Sequence, residues 1–377
     1  MTFIHNPIYV LTVLALMVLL SLYAGKTKWG KPFGAALLVI VFTAVMANLK
    51  LIPSASNSIP LYDAIFTYLA PISIFFLLLG ANLKSIKKAG APMIALFLIG
   101  SMATVLGILV SWYVVNPQNV LGDDGKILAG MLTGTYTGGS VNFNAVALAY
   151  DFQEKGVLYA GAIAVDNVVT ALWVVITIAF PVLLRRYFKD RKLSSQSSGI
   201  KDDGLRAMDL KSLGWLVFIG LVSFLISDLI SELVPNIPSI ITLSTIGIIL
   251  AQTSFISKLR GAHELGLYVV YLFLAVIGAY CEIGAVLALK EVGLLLLLFT
   301  SFAVMVHGLL TILLGGLFFK DWDMISIASQ ANIGGGTSAI ALAETFNRKE
   351  LILPAILVGT LGNALGTYLG FLVVSIL

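Results

Sequence analysis

The feature that most constrains this chain is a succession of long apolar blocks separated by short polar breaks. Most blocks are about 17 to 25 residues long, the length that an α-helix needs to cross the ~30 Å hydrocarbon core of a bilayer. Runs such as 11–20 and 294–299 do not alternate apolar and polar residues, which excludes a transmembrane β-barrel. Only 11% of the 377 residues are charged, against roughly a quarter in soluble domains. The sequence therefore predicts an all-α polytopic membrane protein.

Hydropathy predicts ten spans, at 7–24, 33–49, 61–83, 92–115, 157–183, 213–234, 238–255, 263–281, 292–318 and 351–376. Two further apolar stretches, 127–151 and 323–346, are interrupted by TYTGGS and NIGGGTS. If both stretches cross the membrane, the lysines and arginines divide about 13 to 10 between the two sides; if both are re-entrant hairpins, they divide about 19 to 4. Basic residues accumulate in cytoplasmic loops. The charge distribution therefore favours hairpins over crossing broken helices, with both termini outside and 189–212 as a cytoplasmic linker.

An internal repeat relates the two halves. GGS at 138–140 followed by AVALA at 145–149 is echoed by GGG at 334–336 followed by AIALA at 339–343. In the topology that the charges favour, the first hairpin enters from outside and the second from the cytoplasm. We therefore predict two inverted repeats, 1–188 and 213–377, each with five spans and one hairpin. Inverted repeats with interrupted helices are typical of secondary transporters.

The two interruptions should line a cavity, because non-helical backbone at membrane depth cannot face lipid. Glycines there allow close backbone approach, and hydroxyl and amide groups could hold a polar solute. The predicted substrate-binding residues are Thr135, Thr137, Gly138, Gly139, Ser140, Asn142 and Asn144 on the first hairpin, and Asn332, Gly334, Gly335, Gly336, Thr337 and Ser338 on the second. The alternative is that these small residues only permit tight helix packing.

Asp166 is the one acidic residue deep inside a predicted span. A carboxylate there is costly unless it is paired, hydrated or protonated, so it is a candidate for binding a coupling ion. We predict that Asp166 binds Na⁺ or H⁺, with Asn167, Asn363, Ser329 and Gln330 as its partners. The alternative is a structural carboxylate that pins the first hairpin through hydrogen bonds.

Other polar residues carry weaker indications. His307 lies inside a span and is interpreted as a hydrogen-bonded packing residue, and Glu282 as an interfacial charge. The sequence contains no Cys/His metal cluster, no Ser/His/Asp arrangement and no phosphate-binding loop. It therefore favours neither an enzyme nor an ATP-driven pump, and we expect no cofactor beyond the coupling ion and no nucleic-acid partner.

Over nearly its whole length the chain resembles the YjcL-like bacterial membrane proteins, a family of unknown function. The segments that carry this resemblance are 130–152 and 329–346. Their glycine-rich tips are similar, at superfamily level, to those of the sodium:glutamate and 2-hydroxycarboxylate symporters. That resemblance implies a homodimer in the bacterial inner membrane. It also implies a static scaffold, 7–49 and 213–255, and a core, 61–183 and 263–376, that carries substrate like an elevator.

A second resemblance concerns the sequence AIAVDN at 162–167, which follows an interrupted segment. It is similar to the acidic pair on the helix after the broken helix of sodium/proton antiporters, although the pair here is Asp-Asn instead of Asp-Asp. Our leading hypothesis is a cation-coupled symporter of a small anionic or zwitterionic organic solute. A sodium/proton antiporter that uses Asp166 is the alternative.

Overall fold

The computed structural model describes residues 3–28, 30, 34–81, 83–191, 193, 209–234, 237–281 and 290–377. The described part of the chain is helical and contains no β-strand. We number its longer helices α1 Pro7–Ala24, α2 Gly34–Asn48, α3 Pro60–Leu78, α4 Ala91–Val115, α5 Asp124–Gly138, α6 Ser140–Ala149, α7 Gly156–Leu184, α8 Leu210–Leu233, α9 Ser239–Ala251, α10 Ala262–Ala279, α11 Lys290–Phe318, α12 Trp322–Ile333, α13 Gly335–Thr345 and α14 Ile352–Ile376.

Local sequence signals account for several helix boundaries. The side chain of Asn6 accepts hydrogen bonds from the backbone N–H groups of Ile8 and Tyr9, at 2.9 and 3.2 Å, and Pro7 occupies the first helical position of α1. A polar N-cap followed by proline satisfies amides that the helix itself leaves free. α3 contains a π-helical turn at Ile65–Leu69 just before Pro71, where proline removes a backbone donor and disturbs regular α-helical bonding.

Eight helices of the described chain are long and apolar enough to cross a membrane: α1, α3, α4, α7, α8, α10, α11 and α14. The other two predicted spans correspond to α2 and α9, which have 15 and 13 residues. At 1.5 Å per residue, α9 is only about 20 Å long, so hydropathy overestimated its length. One face of α11 is an exposed apolar stripe, formed by Leu294, Leu298, Met305, Leu309, Leu313 and Leu317. The chain is a multi-pass membrane protein.

The two interrupted segments are helical hairpins. α5 and α6 form the first hairpin, in which a Cβ built on Gly134 would lie 3.1 Å from the Cβ of Asn142. In a continuous helix these residues would be roughly 12 Å apart. Lys155, beyond the end of α6, pairs with Asp124 at the start of α5, so both ends of this hairpin lie on one side.

The second hairpin consists of α12 and α13, and an ion pair closes its base as well. Arg348, just after α13, is 3.1 Å from a carboxylate oxygen of Asp321, the N-cap residue of α12. The Arg348 guanidinium also lies 3.4 Å from Asp323. Arg348, Asp321 and Asp323 are buried side chains, whereas Lys155 in the first hairpin is half exposed.

The two hairpin bases lie at opposite ends of the helix bundle. On what we call the basic side, Gln252 after α9 donates to the Ala81 carbonyl after α3, at 2.8 Å, and Arg185 after α7 is 2.5 Å from Asp323. On the opposite side, Asn48 at the end of α2 donates to the carbonyl of Cys281 after α10, at 2.8 Å. The base of the first hairpin is on the opposite side, and that of the second is on the basic side.

Helices from the two halves pack crosswise. α14 packs along the first hairpin and α7 along the second, while α2 packs against α10 and α9 against α3. The long helices α4 and α11 run against each other. Most of the predicted linker 189–212, and Glu282, lie outside the described residues. The repeat boundaries and the division into scaffold and core stay predictions.

Candidate functional site

The tip of the first hairpin touches the backbone of α14. A Cβ on Gly138 would lie 2.0 Å from the carbonyl carbon of Gly362, so no larger residue fits there without moving a backbone. Gly139 turns the chain with a φ of 104°, in the region that favours glycine. Below the tip, Asn142 Oδ1 accepts hydrogen bonds from the backbone N–H and the hydroxyl of Thr367, at 3.0 and 2.8 Å. Asn142 therefore fixes the hairpin to α14.

The tip of the second hairpin is built in a similar way. Gly335 has a φ of 74°, and a Cβ on Gly359 of α14 would lie 2.5 Å from the Cα of Gly336. Asn332, which is fully buried, accepts a hydrogen bond from Ser101 at 2.8 Å and donates to the Phe97 carbonyl at 3.1 Å. Both of these partners lie on α4, so Asn332 fixes the second hairpin to that helix.

A buried polar network connects the second hairpin to α7 and α11. The His307 Nδ1 lies 3.0 Å from the Gly100 carbonyl, which can only accept, so Nδ1 carries the proton. Its Nε2 then accepts from the Ser329 hydroxyl at 2.9 Å, and Ser329 in turn accepts from the Trp173 indole at 3.1 Å. His307 acts here as a hydrogen-bonded packing residue. Gln330 accepts from the Thr177 hydroxyl at 3.1 Å.

Between the two tips lies a cavity of about 260 Å³. Asp166 lines it, ~15 Å along α7 from Gly156 and thus near the middle of the apolar layer. One of its carboxylate oxygens accepts a hydrogen bond from Thr170 at 3.3 Å. The Tyr136 hydroxyl is buried beside this carboxylate.

The cavity brings together only part of the predicted site. Of the predicted residues, those that line it are Thr135, Gly139, Ser140, Asn144, Asp166, Asn167 and Gly334. The others, Thr137, Gly138, Asn142, Asn332, Gly335, Gly336, Thr337, Ser338, Ser329, Gln330 and Asn363, do not line it. Several of these others bind the protein itself, as Asn142, Asn332 and Ser329 do. Asn144 lines the cavity, but its side-chain oxygen accepts a hydrogen bond from Tyr159.

One wall of the cavity was not predicted from the sequence. The residues that complete the lining are Ala36, Phe143, Ile163, Thr170, Leu267, Val270, Tyr271, Leu274 and Ile333. Four of them belong to α10, which carries no polar motif that could have singled it out. Thr170, by contrast, follows Asp166 by one helical turn, and that spacing places both side chains on one face of α7.

The lining has the chemistry of a cation site. Asp166 is the one charged side chain among the described residues that line the cavity, and Thr135, Ser140 and Thr170 add hydroxyl oxygens around it. Hard cations prefer such oxygen ligands. α6 begins at Ser140, so the positive end of its helix dipole also faces the cavity. In the described ranges, no group of three or more His, Cys, Asp or Glu residues could hold a metal ion.

Comparison with known proteins gives a family. The family described as "Protein of unknown function (DUF819)" matches residues 10–377. The chain belongs to this family. It is 29% identical over 367 residues to the uncharacterized membrane protein YjcL of Bacillus subtilis (strain 168), covering 92% of this chain and 90% of that protein.

Among solved structures, this chain is similar to the sodium proton antiporter MjNhaP1 from Methanocaldococcus jannaschii. The sequence identity is 14%, the TM-score is 0.48, and the match covers 99% of this chain and 96% of that one. The expected resemblance to the YjcL-like proteins is confirmed.

Proposed function

We propose that this protein is a secondary transporter that binds a cation at Asp166 and couples its movement to that of a small organic solute. The observation that carries the proposal is the cavity in which Asp166 meets both hairpin tips, at mid-membrane depth. A carboxylate at this depth needs a compensating partner, and no described basic side chain lines the cavity. A bound Na⁺ or H⁺ supplies that compensation.

The size of the cavity favours a solute in addition to the ion. About 260 Å³ is several times the ~30 Å³ that one water molecule occupies in the liquid. Leu267, Val270 and Leu274 of α10 give the solute an apolar wall, and the start of α6 offers free N–H groups to an anionic group. A zwitterion or an anion that enters with Na⁺ matches this combination.

Antiport of Na⁺ and H⁺ is the second candidate. One observation favours it, namely that the cavity contains a single carboxylate and no basic side chain to hold an organic anion directly. In this mode, Na⁺ and H⁺ compete for Asp166 and no organic solute moves.

An elevator-like movement is supported by the packing. α14 packs against the first hairpin and α7 packs against the second, so each hairpin is held by a helix from the other half. The two hairpins, α7 and α14 therefore form one unit. An apolar cleft of about 420 Å³ separates α2 from α7 and α11 on the opposite side, a seam at which such a unit can slide. The homodimer, the location in the inner membrane and the identity of the coupling ion stay predictions.

The test compares the purified wild type with Asp166→Asn. A ligand that binds only the folded state stabilises it by about 2.7 kcal/mol at one hundred times its Kd. We expect Na⁺, at constant ionic strength against K⁺, to raise the thermal stability of the wild type but not that of Asp166→Asn. Asp63→Asn is the matched control, because Asp63 is an exposed carboxylate on α3 that lines a different cavity. A wild type that responds to neither Na⁺ nor pH would refute the proposal.

Flux measurements in proteoliposomes then separate the two modes. Uptake of a radiolabelled solute from a metabolite panel, driven by a Na⁺ gradient and lost in Asp166→Asn, supports symport. Proton movement driven by a Na⁺ gradient without any solute supports antiport and rejects the symport mode.

A further inference from the structure

A groove of about 510 Å³ lies on the basic side, away from the transport cavity. It is formed where the end of α7, the end of α11 and the start of α12 meet. Leu313 and Leu317 of α11 form an apolar wall, and both are more than half exposed. Tyr187 and Phe188, in the turn after α7, form the facing wall and are exposed as well.

Two lysines stand at this groove without a carboxylate partner. Lys189 follows α7 and Lys320 follows α11, and both line the groove. Neither forms an ion pair within the described residues. The carboxylates nearby are bound by arginines, since Asp190 is 2.7 Å from Arg185 and Asp321 is 3.1 Å from Arg348. Among the described residues, the groove therefore has a positive charge that no carboxylate compensates.

Trp322, a buried residue that lines the groove, has a donor without a partner among the described residues. The indole of Trp322 is buried, lines the groove and packs against Gly316, where a Cβ would lie 2.6 Å from the ring. Its Nε1–H has no hydrogen-bond partner. Buried donors are nearly always paired, so the Trp322 indole N–H is a donor that the described part of the protein leaves unused at this groove.

The turns that carry the two lysines are fixed to each other. The backbone N–H of Arg191 donates to the Lys320 carbonyl at 2.7 Å, and the backbone N–H of Trp322 donates to Asp190 at 3.3 Å. These contacts fix the distance between the backbone positions of the two lysines. The groove opens along the exposed apolar stripe of α11, which faces the lipid chains. The end of the groove that carries the two lysines therefore lies at the depth of the lipid headgroups.

We infer that this groove binds an anionic phospholipid from the leaflet on the basic side. The phosphate lies between Lys189 and Lys320, and an acyl chain follows Leu313 and Leu317. Basic pockets between transmembrane helices are known to hold such headgroups. The lipid would join the end of α7, the helix of Asp166, to the base of the second hairpin.

The test uses the full chain purified in detergent and two lipids with identical acyl chains, phosphatidylglycerol and phosphatidylcholine. We expect phosphatidylglycerol to stay bound in native mass spectrometry and to raise thermal stability, and phosphatidylcholine to do neither. Each exposed lysine near a lipid surface contributes about fivefold in affinity. The double variant Lys189→Gln, Lys320→Gln should therefore lose phosphatidylglycerol binding by more than tenfold.

Lys211→Gln is the matched control. Lys211 is an exposed lysine beside the aromatic residues Trp215 and Phe218, on the basic side but with no second lysine and no buried donor in its pocket. This variant should bind phosphatidylglycerol like the wild type. Equal binding of the two lipids, or undiminished binding by the double variant, would overturn the inference. Stabilisation by inorganic phosphate to the same extent would show an anion site without a lipid and would overturn it too.

Discussion

The ion pairs that close the two hairpins differ sharply in burial, and this difference predicts their contributions to stability. The side chain of Arg348 is 5% exposed, and Asp321 and Asp323 are 0% and 4% exposed. The side chains of Lys155 and Asp124 are 48% and 23% exposed. Breaking a buried pair strands an uncompensated charge at a cost of about 3–5 kcal/mol, whereas an exposed pair contributes about 0–1 kcal/mol.

We therefore expect Arg348→Met to destabilise the protein by about 3–5 kcal/mol and Lys155→Met by no more than about 1 kcal/mol. Burial alone would lower the pKa of Arg348, but its hydrogen bonds to Asp321 and Glu350 raise it above the ordinary value. Arg348 also donates to the Leu193 carbonyl at 3.0 Å. The loss therefore includes hydrogen bonds as well as a charge pair.

The assay is reversible unfolding in mixed micelles by titration with a denaturing detergent, followed by tryptophan fluorescence. Adding Asp321→Asn to Arg348→Met should recover part of the lost free energy, because it removes the stranded carboxylate. Equal losses in Arg348→Met and Lys155→Met would refute the argument from burial. So would an unchanged stability on adding Asp321→Asn.

Two further predictions concern the tip of the first hairpin and the start of α8. Gly138→Ala should destabilise the protein by about 1–3 kcal/mol, because its Cβ would lie 2.0 Å from the Gly362 backbone. The control is Gly161→Ala, whose Cβ would lie at an ordinary contact distance of 3.7 Å from Leu296. This variant should change the free energy of unfolding little in the same assay. Hydrogen bonds from Ser212 lower the pKa of Asp209 in the folded protein. The stability that this carboxylate contributes to the protein is therefore complete at a pH above its ordinary pKa, and it is lost as the pH falls through the lowered pKa of the folded state. Asp209→Asn should flatten the acidic limb of thermal stability against pH.

Much of the fold follows from the sequence because a bilayer imposes one length on every span. The predicted span 92–115 differs from α4 by one residue at one end, and 157–183 differs from α7 by one residue at each end. α9 is shorter than predicted because hydropathy counts apolar residues whether or not the backbone stays helical. Gln252, which ends that helix, turns its side chain to bind the backbone after α3, a contact no local pattern encodes.

The candidate site, like the fold, was predicted from the sequence only in part. Asp166 and the glycine tips were predicted because charge and backbone irregularity at membrane depth are conspicuous in a sequence. The amide groups of Asn142 and Asn332 are of the kind that could bind a cation or a solute. In the structure, however, both accept hydrogen bonds from other residues of the protein. Their roles depend on Thr367 and Ser101, which are distant in sequence. The apolar wall of α10 is invisible to sequence reasoning for the same reason.

The crosswise packing of the hairpins has a consequence for biogenesis. During synthesis the first hairpin emerges from the ribosome long before α14, and the hydrogen bond that Thr367 donates to Asn142 spans 225 residues. Until α14 is inserted, the tip at Gly138 and the amide of Asn142 lack their partners on that helix, and lipid offers none. The first half must therefore wait, shielded by water or by the insertion machinery, until α14 has been synthesised. A chain truncated before α14 should be recognised by quality-control proteases, even though every earlier helix is present.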